Sequence, residues 1–165
     1  MPILDDRNFE FFSHSPGQTR RFGIHLGGYL KIGDLICLEG NLGSGKTTLV
    51  QGIAQGWGTL DRVTSPTYVI VNEYRRADPQ RLFHIDAYRL NNPQEADFLD
   101  FERMLVQGPI VIEWPERIVE VLPEERLWIN LADTGVEHRS MMIKSTGNHY
   151  QRVVQQLRRQ LYGDF

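Results

Sequence analysis

The run Leu35-Ile36-Cys37-Leu38-Glu39-Gly40-Asn41-Leu42-Gly43-Ser44-Gly45-Lys46-Thr47-Thr48 sets the architecture of this chain. Its first residues are apolar as far as Glu39 and follow the turn Lys31-Ile32-Gly33-Asp34, the pattern of a strand buried on both faces. From Gly40 to Thr47 the sequence matches G-x-x-x-x-G-K-[ST] at each defined position. Glycines let the backbone curl so that several N–H groups face one phosphate, and the N-terminus of a following helix adds partial positive charge. Lys46 is placed to reach the β- and γ-phosphates, and the Thr47 hydroxyl to ligate magnesium. The pattern from Lys46 through TTLVQGIAQGWG predicts that helix, ending near Gly56 or Gly58. Gly40, Asn41, Leu42, Gly43, Ser44, Gly45, Lys46, Thr47 and Thr48 are thus the candidate nucleotide-binding residues.

Upstream, Asn8-Phe9-Glu10-Phe11-Phe12 reads as a short strand, and Ser15-Pro16 as a helix start with Ser15 as N-cap. Phe22, Leu26 and Leu30 recur every four residues, so the helix is expected to run to about Leu30. Downstream, Tyr68 to Tyr74 is rich in β-branched and aromatic residues, and Arg81 to Asp86 returns after the turn Ala77-Asp78-Pro79-Gln80, which predicts a hairpin. Asn91-Asn92-Pro93 opens an expected helix from Gln94 to Val106. Ile110-Val111-Ile112 then forms a buried strand ending in Glu113, with later strands at Arg126–Leu131 and Ser140–Lys144. In the last segment Val153, Val154, Leu157 and Leu161 share one helical face. No repeat or linker divides residues 1–165, so one α/β domain is expected: a three-layer P-loop NTPase fold with a mixed, partly antiparallel central sheet.

The composition, 41% hydrophobic and 24% charged, suits one compact core with a polar surface. A net charge of −3 argues against a broad non-specific grip on DNA or RNA. Among the 18 basic residues only Lys31, Lys46 and Lys144 are lysines, and one of them sits in the phosphate loop. The single cysteine, Cys37, fits a reducing compartment. No apolar run is long enough for a membrane span and the N-terminal stretch lacks a signal pattern, so a soluble cytoplasmic protein is expected.

Magnesium in such a site calls for a carboxylate at the tip of a neighbouring apolar strand. Asp86 ends RLFHID and Glu113 ends PIVIE. A carboxylate directly after buried apolar positions is badly solvated unless it meets a cation or donors. Spacing does not assign which meets the metal and which orients water. Ser65-Pro66-Thr67 lies where other phosphate-loop proteins carry a γ-phosphate-sensing segment, though Ser-Pro also favours plain capped turns. His84 alternates with Asp86 and reads as a hydrogen-bonding support rather than a base. Trp114 either stacks on a base or partner or belongs to the core. No N-K-x-D segment occurs, which favours ATP over GTP, and no arginine finger is evident.

Taken in order, GNLGSGKTT, SPTY, HIDAYR and IEWPE resemble the TsaE (YjeE) family, bacterial P-loop ATPases of tRNA threonylcarbamoyladenosine synthesis. The resemblance covers about Ser15 to Lys144; Asn41 fits the family's acid or amide after the first glycine, and Tyr68 its aromatic after SPT. It implies a magnesium-dependent ATPase acting with TsaD and TsaB, in contact with tRNA only through that complex. It also implies roles: Lys46 and Thr47 for phosphate and magnesium, Glu113 as the magnesium carboxylate, Asp86 as the catalytic one close to the metal, Thr67 in the switch, and Trp114 near the site. Ser15 and Thr19 lie where the family places residues near the nucleotide. The expected activity is slow hydrolysis completed by a partner. A small-molecule kinase and a nucleotide-gated binding module without essential hydrolysis are the alternatives.

Overall fold

The computed structural model describes residues 5–64 and 71–163. A seven-stranded sheet runs through them in the order β1-β7-β6-β2-β5-β4-β3. Its strands are β1 (Asn8–Ser13), β2 (Leu35–Glu39), β3 (Val71–Arg75), β4 (Arg81–Asp86), β5 (Ile110–Glu113), β6 (Arg126–Gly135) and β7 (His138–Thr146). The centre, β6-β2-β5-β4, is parallel; β1 and β7 on one side and β3 on the other are antiparallel. The sheet is therefore mixed as expected, with the hairpin β3-β4 closing one edge.

Strand alternation separates two cores. Ile36 and Leu38 of β2 point to a cluster with Val111, Ile129 and Ile143. That cluster is covered by α1 (Pro16–Gly27), α2 (Lys46–Trp57) and α4 (Asn148–Tyr162). Leu35 and Cys37 point the other way, with Phe83, Ile85, Ile110 and Ile112, beneath Ala96, Leu99 and Met104. Helices on both faces make three layers around a sheet whose central strands are apolar on both sides.

The first two helices touch backbone to backbone. A Cβ on Gly27 would lie 2.0 Å from the Ile53 carbonyl oxygen, and one on Gly56 would lie 2.0 Å from that of Ile24. Glycine is required there by close approach, and the contact seats α2, whose N-terminus is the phosphate loop.

Several expectations need correction. α1 ends at Gly27, with Gly28 as its C-cap, although Leu30 beyond it is still buried. The single helix expected over 94–106 is two pieces: a 3₁₀ segment Pro93–Leu99 and the short α3, Phe101–Leu105, broken at Asp100 with φ 55. The Asn92 side chain caps the first piece by accepting from Glu95 N at 3.1 Å. Ala96 and Leu99, three residues apart, bury one face of it, which suits the three-residue turn. β6 and β7 extend past Leu131 and start before Ser140, because they form one long hairpin that outruns the core. β3 begins at Val71, and the expected Tyr68–Ile70 portion lies outside the described residues. Among the described residues no helix is long and apolar enough to cross a membrane.

Candidate functional site: a phosphate loop facing two strand-end carboxylates

The loop from Gly40 to Gly45 leaves the C-terminal tip of β2 and enters α2 at Lys46. Gly45, the N-cap of α2, has φ 100, and Gly43 has φ 78 with nothing within 4 Å of where a Cβ would sit. Both conformations favour glycine, and at Gly43 they leave open space against the backbone. Lys46 folds back over the loop. Its ammonium donates to the Gly40 carbonyl and, at 3.0 Å, to that of Asn41. It also lies 4.5 Å from the centre of the Trp114 ring. Burial lowers the Lys46 pKa, opposed by the nearby Glu113, Glu116 and Asp86 carboxylates. Among the described residues the buried Ser44 hydroxyl has no hydrogen-bond partner, a polar group left open inside the cradle.

The two carboxylates are brought together by strand register. Asp86 of β4 pairs with Glu113 of β5, so both leave the same face of adjacent parallel strands at their C-terminal tips. They line one cleft of about 340 Å³ with Leu42, Lys46, Thr47 and Trp114. Gly43, Gly45 and Thr48 complete the loop side of this cleft, whereas Gly40, Asn41 and Ser44 line its opposite flank. Burial raises the Asp86 pKa, with Glu113 adding to the rise and the Tyr88 N–H, a donor at 2.9 Å, opposing it. Glu113 is 4% exposed and accepts from His84 Nε2 at 2.6 Å.

Among the described residues no group of three or more His, Cys, Asp or Glu could hold a metal by itself. The Thr47 hydroxyl with Asp86 and Glu113 nevertheless forms an all-oxygen donor set. That set fits magnesium, which takes one or two carboxylates and completes its shell with phosphate oxygens and water. A larger hollow of about 690 Å³ lies on the other flank of the loop, lined by Glu39, Asn41, Leu42, Trp114, Asn130 and Asp133 among others. It reaches neither Thr47 nor the two strand-end carboxylates, so the chemistry belongs to the smaller cleft.

The N-terminal helix is placed less simply. Thr19 lines a narrow pocket of about 30 Å³ with Pro16, Gly45, Thr48, Glu137 and Arg139. Its hydroxyl is bonded to that of Ser13 at 2.7 Å. The Ser15 hydroxyl is occupied as a cap, accepting from Gln18 N at 3.1 Å, and does not line that pocket. Thr67 and the rest of 65–70 lie outside the described residues.

Arg139 escaped the sequence reading. It sits near the start of β7, yet its Nη2 donates to the Gly43 carbonyl at 3.1 Å, and its Nη1 donates to the His138 carbonyl at 2.8 Å and to Asp133 at 3.3 Å. Its Nε is buried without a partner among the described residues, and its side chain borders both the cleft and the narrow pocket. The usable signal was its position two residues before buried Met141, on the same face of the strand, but only the hairpin with β6 brings that position to the loop.

Strand, glycine loop, helix and strand-tip carboxylates define a P-loop nucleotide-binding fold. The family profile described as "Threonylcarbamoyl adenosine biosynthesis protein TsaE" matches residues 13–141. The tRNA threonylcarbamoyladenosine biosynthesis protein TsaE of Bacillus subtilis (strain 168) is 37% identical over 145 residues, 88% of this chain and 90% of that relative. The protein of the same name from Streptomyces coelicolor is 39% identical over 137 residues, covering 79% and 93%. The crystal structure of YdiB from Bacillus subtilis superposes with a TM-score of 0.77 at 30% identity, over 97% of both chains. The chain belongs to the TsaE family.

Proposed function

We propose that this protein hydrolyses ATP with magnesium to drive formation of N6-threonylcarbamoyladenosine in tRNA, working with TsaD and TsaB. The observation that carries the reading is the single cleft in which Lys46, Thr47, Asp86 and Glu113 meet at the mouth of the loop. The names of the relatives supply the pathway.

In this reading the N–H groups of the loop and the N-terminus of α2 hold the phosphates. Lys46 leaves the Gly40 and Asn41 carbonyls and carries its charge to the transferring phosphoryl group. Thr47 and Glu113 would hold magnesium, which would supply positive charge to the phosphates. Asp86 orients the attacking water from the adjacent strand tip and accepts its proton. Thr19 and Thr48 border the nucleotide on the α1 side, and Trp114 closes the opposite wall. Arg139 stands at the loop, but its Nη groups are engaged by Gly43, Asp133 and His138. That arrangement supports a low basal rate that rises when partners complete the site.

The deciding experiment is a multiple-turnover tRNA modification assay reconstituted with TsaD and TsaB, with and without this chain. Sustained modification only in its presence, together with partner-stimulated phosphate release lost in Lys46→Ala, is the expected result. Turnover at many per second by the chain alone, or unchanged turnover in Lys46→Ala, would refute the mechanism. A kinase reading draws no support from the segment after β4, which carries Glu95, Asp97, Asp100 and Glu102 rather than a basic lid.

A further inference from the structure

A line of hydrogen bonds, buried as far as Tyr74, connects the Glu113 carboxylate to loop backbone on the far side of β4. His84 lies two residues before Asp86 on the same face of β4, and its Nε2 is 2.6 Å from Glu113 Oε2. Its Nδ1 is 3.0 Å from the Tyr74 hydroxyl on the neighbouring strand β3. The same hydroxyl is 3.1 Å from the Thr64 carbonyl oxygen. Tyr74 is 3% exposed and His84 is 0% exposed, so water does not compete at the two bonds between Tyr74, His84 and Glu113, whereas the Thr64 end is exposed.

The chemistry of the groups gives the line a direction. A carboxylate only accepts, which puts the ring hydrogen on Nε2 and leaves Nδ1 as an acceptor for the Tyr74 hydroxyl. Tyr74 has one hydroxyl proton and two acceptors in reach, Nδ1 and the Thr64 carbonyl. With that proton donated to Nδ1 the ring is held at both nitrogens, and one Glu113 oxygen is fixed by the ring. The other oxygen, Oε1, has no hydrogen-bond partner among the described contacts.

We infer that His84 and Tyr74 are positioning residues that fix the Glu113 carboxylate, leaving Oε1 free to meet a divalent cation beside Thr47. This rests on the nucleotide reading above and assigns that site its support. A free glutamate side chain loses rotamer freedom on being ordered, and a carboxylate already held does not lose it again when the cation arrives. Partners behind a ligating carboxylate typically matter by about 10–100-fold in metal affinity.

The test uses Mn²⁺ as the probe, titrated by EPR into the full chain saturated with ADP, with metal-free ADP affinity measured in parallel. The amide nitrogen of glutamine falls near Nε2 of histidine, and the amide of asparagine near Nδ1. His84→Gln therefore keeps the Glu113 bond and loses Tyr74, while His84→Asn does the reverse. His84→Asn should weaken Mn²⁺ by about 10–100-fold, and His84→Gln and Tyr74→Phe, which lose the same partner and keep the Glu113 bond, each by about threefold. Metal-free ADP affinity should stay at the parental value in all three. Equal losses in Asn and Gln variants, parental Mn²⁺ affinity in His84→Asn, or parallel loss of ADP affinity would overturn the assignment. Should His84→Asn fail to fold, Tyr74→Phe removes one oxygen, and parental Mn²⁺ affinity there overturns it equally. Failure of the parent chain to bind ADP at all would instead remove the nucleotide reading itself.

Discussion

Trp114 follows Glu113 directly and holds a left-handed backbone, φ 60 and ψ 44. That conformation costs a non-glycine residue about 1–2 kcal/mol, and the following Pro115 restricts it further. Three contacts maintain it. Its N–H donates to the Leu38 carbonyl at 3.3 Å, its ring sits 4.9 Å from that of Tyr88, and the Lys46 ammonium lies 4.5 Å from its centre. Trp114→Ala and Trp114→Gly both lose the ring contacts, about 0.5–1.5 kcal/mol for the aromatic pair and about 0.5–1 kcal/mol for the cation. Both variants should therefore fall roughly 1–2.5 kcal/mol below the parent. Only glycine relieves the backbone, against about 0.4–1 kcal/mol for its freer unfolded chain. Glycine should come out ahead by about 0.5–1 kcal/mol, the reverse of the usual order. With a urea slope near 2 kcal/mol/M, its midpoint should be roughly 0.3–0.5 M above that of the alanine variant. Equal slopes with an alanine midpoint at or above that of glycine would refute the claim that strain is stored beside the site.

Other substitutions follow from the same packing and charge. Gly56→Ala drives a Cβ into the Ile24 carbonyl and should cost about 1–3 kcal/mol in chemical denaturation, whereas Gly17→Ala, whose Cβ would meet only Ser15 Oγ at 3.7 Å, should not destabilise. Cys37 is fully buried and its thiol is pushed up to about 12, so Ellman's reagent at pH 8 should label it only as the chain unfolds; rapid labelling of the native protein would contradict its place beneath Ala96, Leu99 and Met104. Asp86 is held above its ordinary 3.8, chiefly by burial. Proton binding there stabilises the fold below the unfolded value, and that stabilisation is lost as pH rises through the higher folded value. At pH 7 Asp86→Asn should consequently raise the thermal midpoint of the nucleotide-free chain while hydrolysis falls; a lowered midpoint would contradict the sign.

The phosphate loop was legible because its chemistry is local: one strand, one loop and one helix start, in sequence order. The two carboxylates were legible for a related reason. A charge directly after a buried apolar run marks a strand tip, and parallel register then sets Asp86 beside Glu113. What failed was anything decided across the sheet. Arg139 reaches Gly43 only because β6 and β7 continue as a hairpin beyond Leu131, where both faces are exposed and no alternation marks a strand. The break at Asp100 was hidden because apolar spacing of three suits a 3₁₀ turn and an α-helix alike. Ser15 carried two compatible readings, cap and nucleotide contact, and its hydroxyl serves the cap.

Charge balance at the cleft leads to a requirement for metal at the binding step itself. Asp86 and Glu113 share the cleft with Lys46, and the charges of Glu113, Glu116 and Asp86 all act on that ammonium. On the proposed reading, a free triphosphate arriving there would meet like charge from the strand tips, and magnesium held by Thr47 and Glu113 would offset that repulsion. Chelating magnesium should therefore weaken ATP binding by more than about tenfold, since a unit charge some 8–10 Å away at an effective dielectric near 20 is worth roughly 1.5–2 kcal/mol. Glu113→Gln separates this from a general need for magnesium by the phosphates. It keeps an acceptor for His84 but removes the charge, so affinity for Mg·ATP should fall while affinity for free ATP rises. Calorimetry with and without EDTA reads both limbs. A Glu113→Gln chain that binds free ATP no better than the parent would show that the strand-tip carboxylates do not repel the metal-free nucleotide.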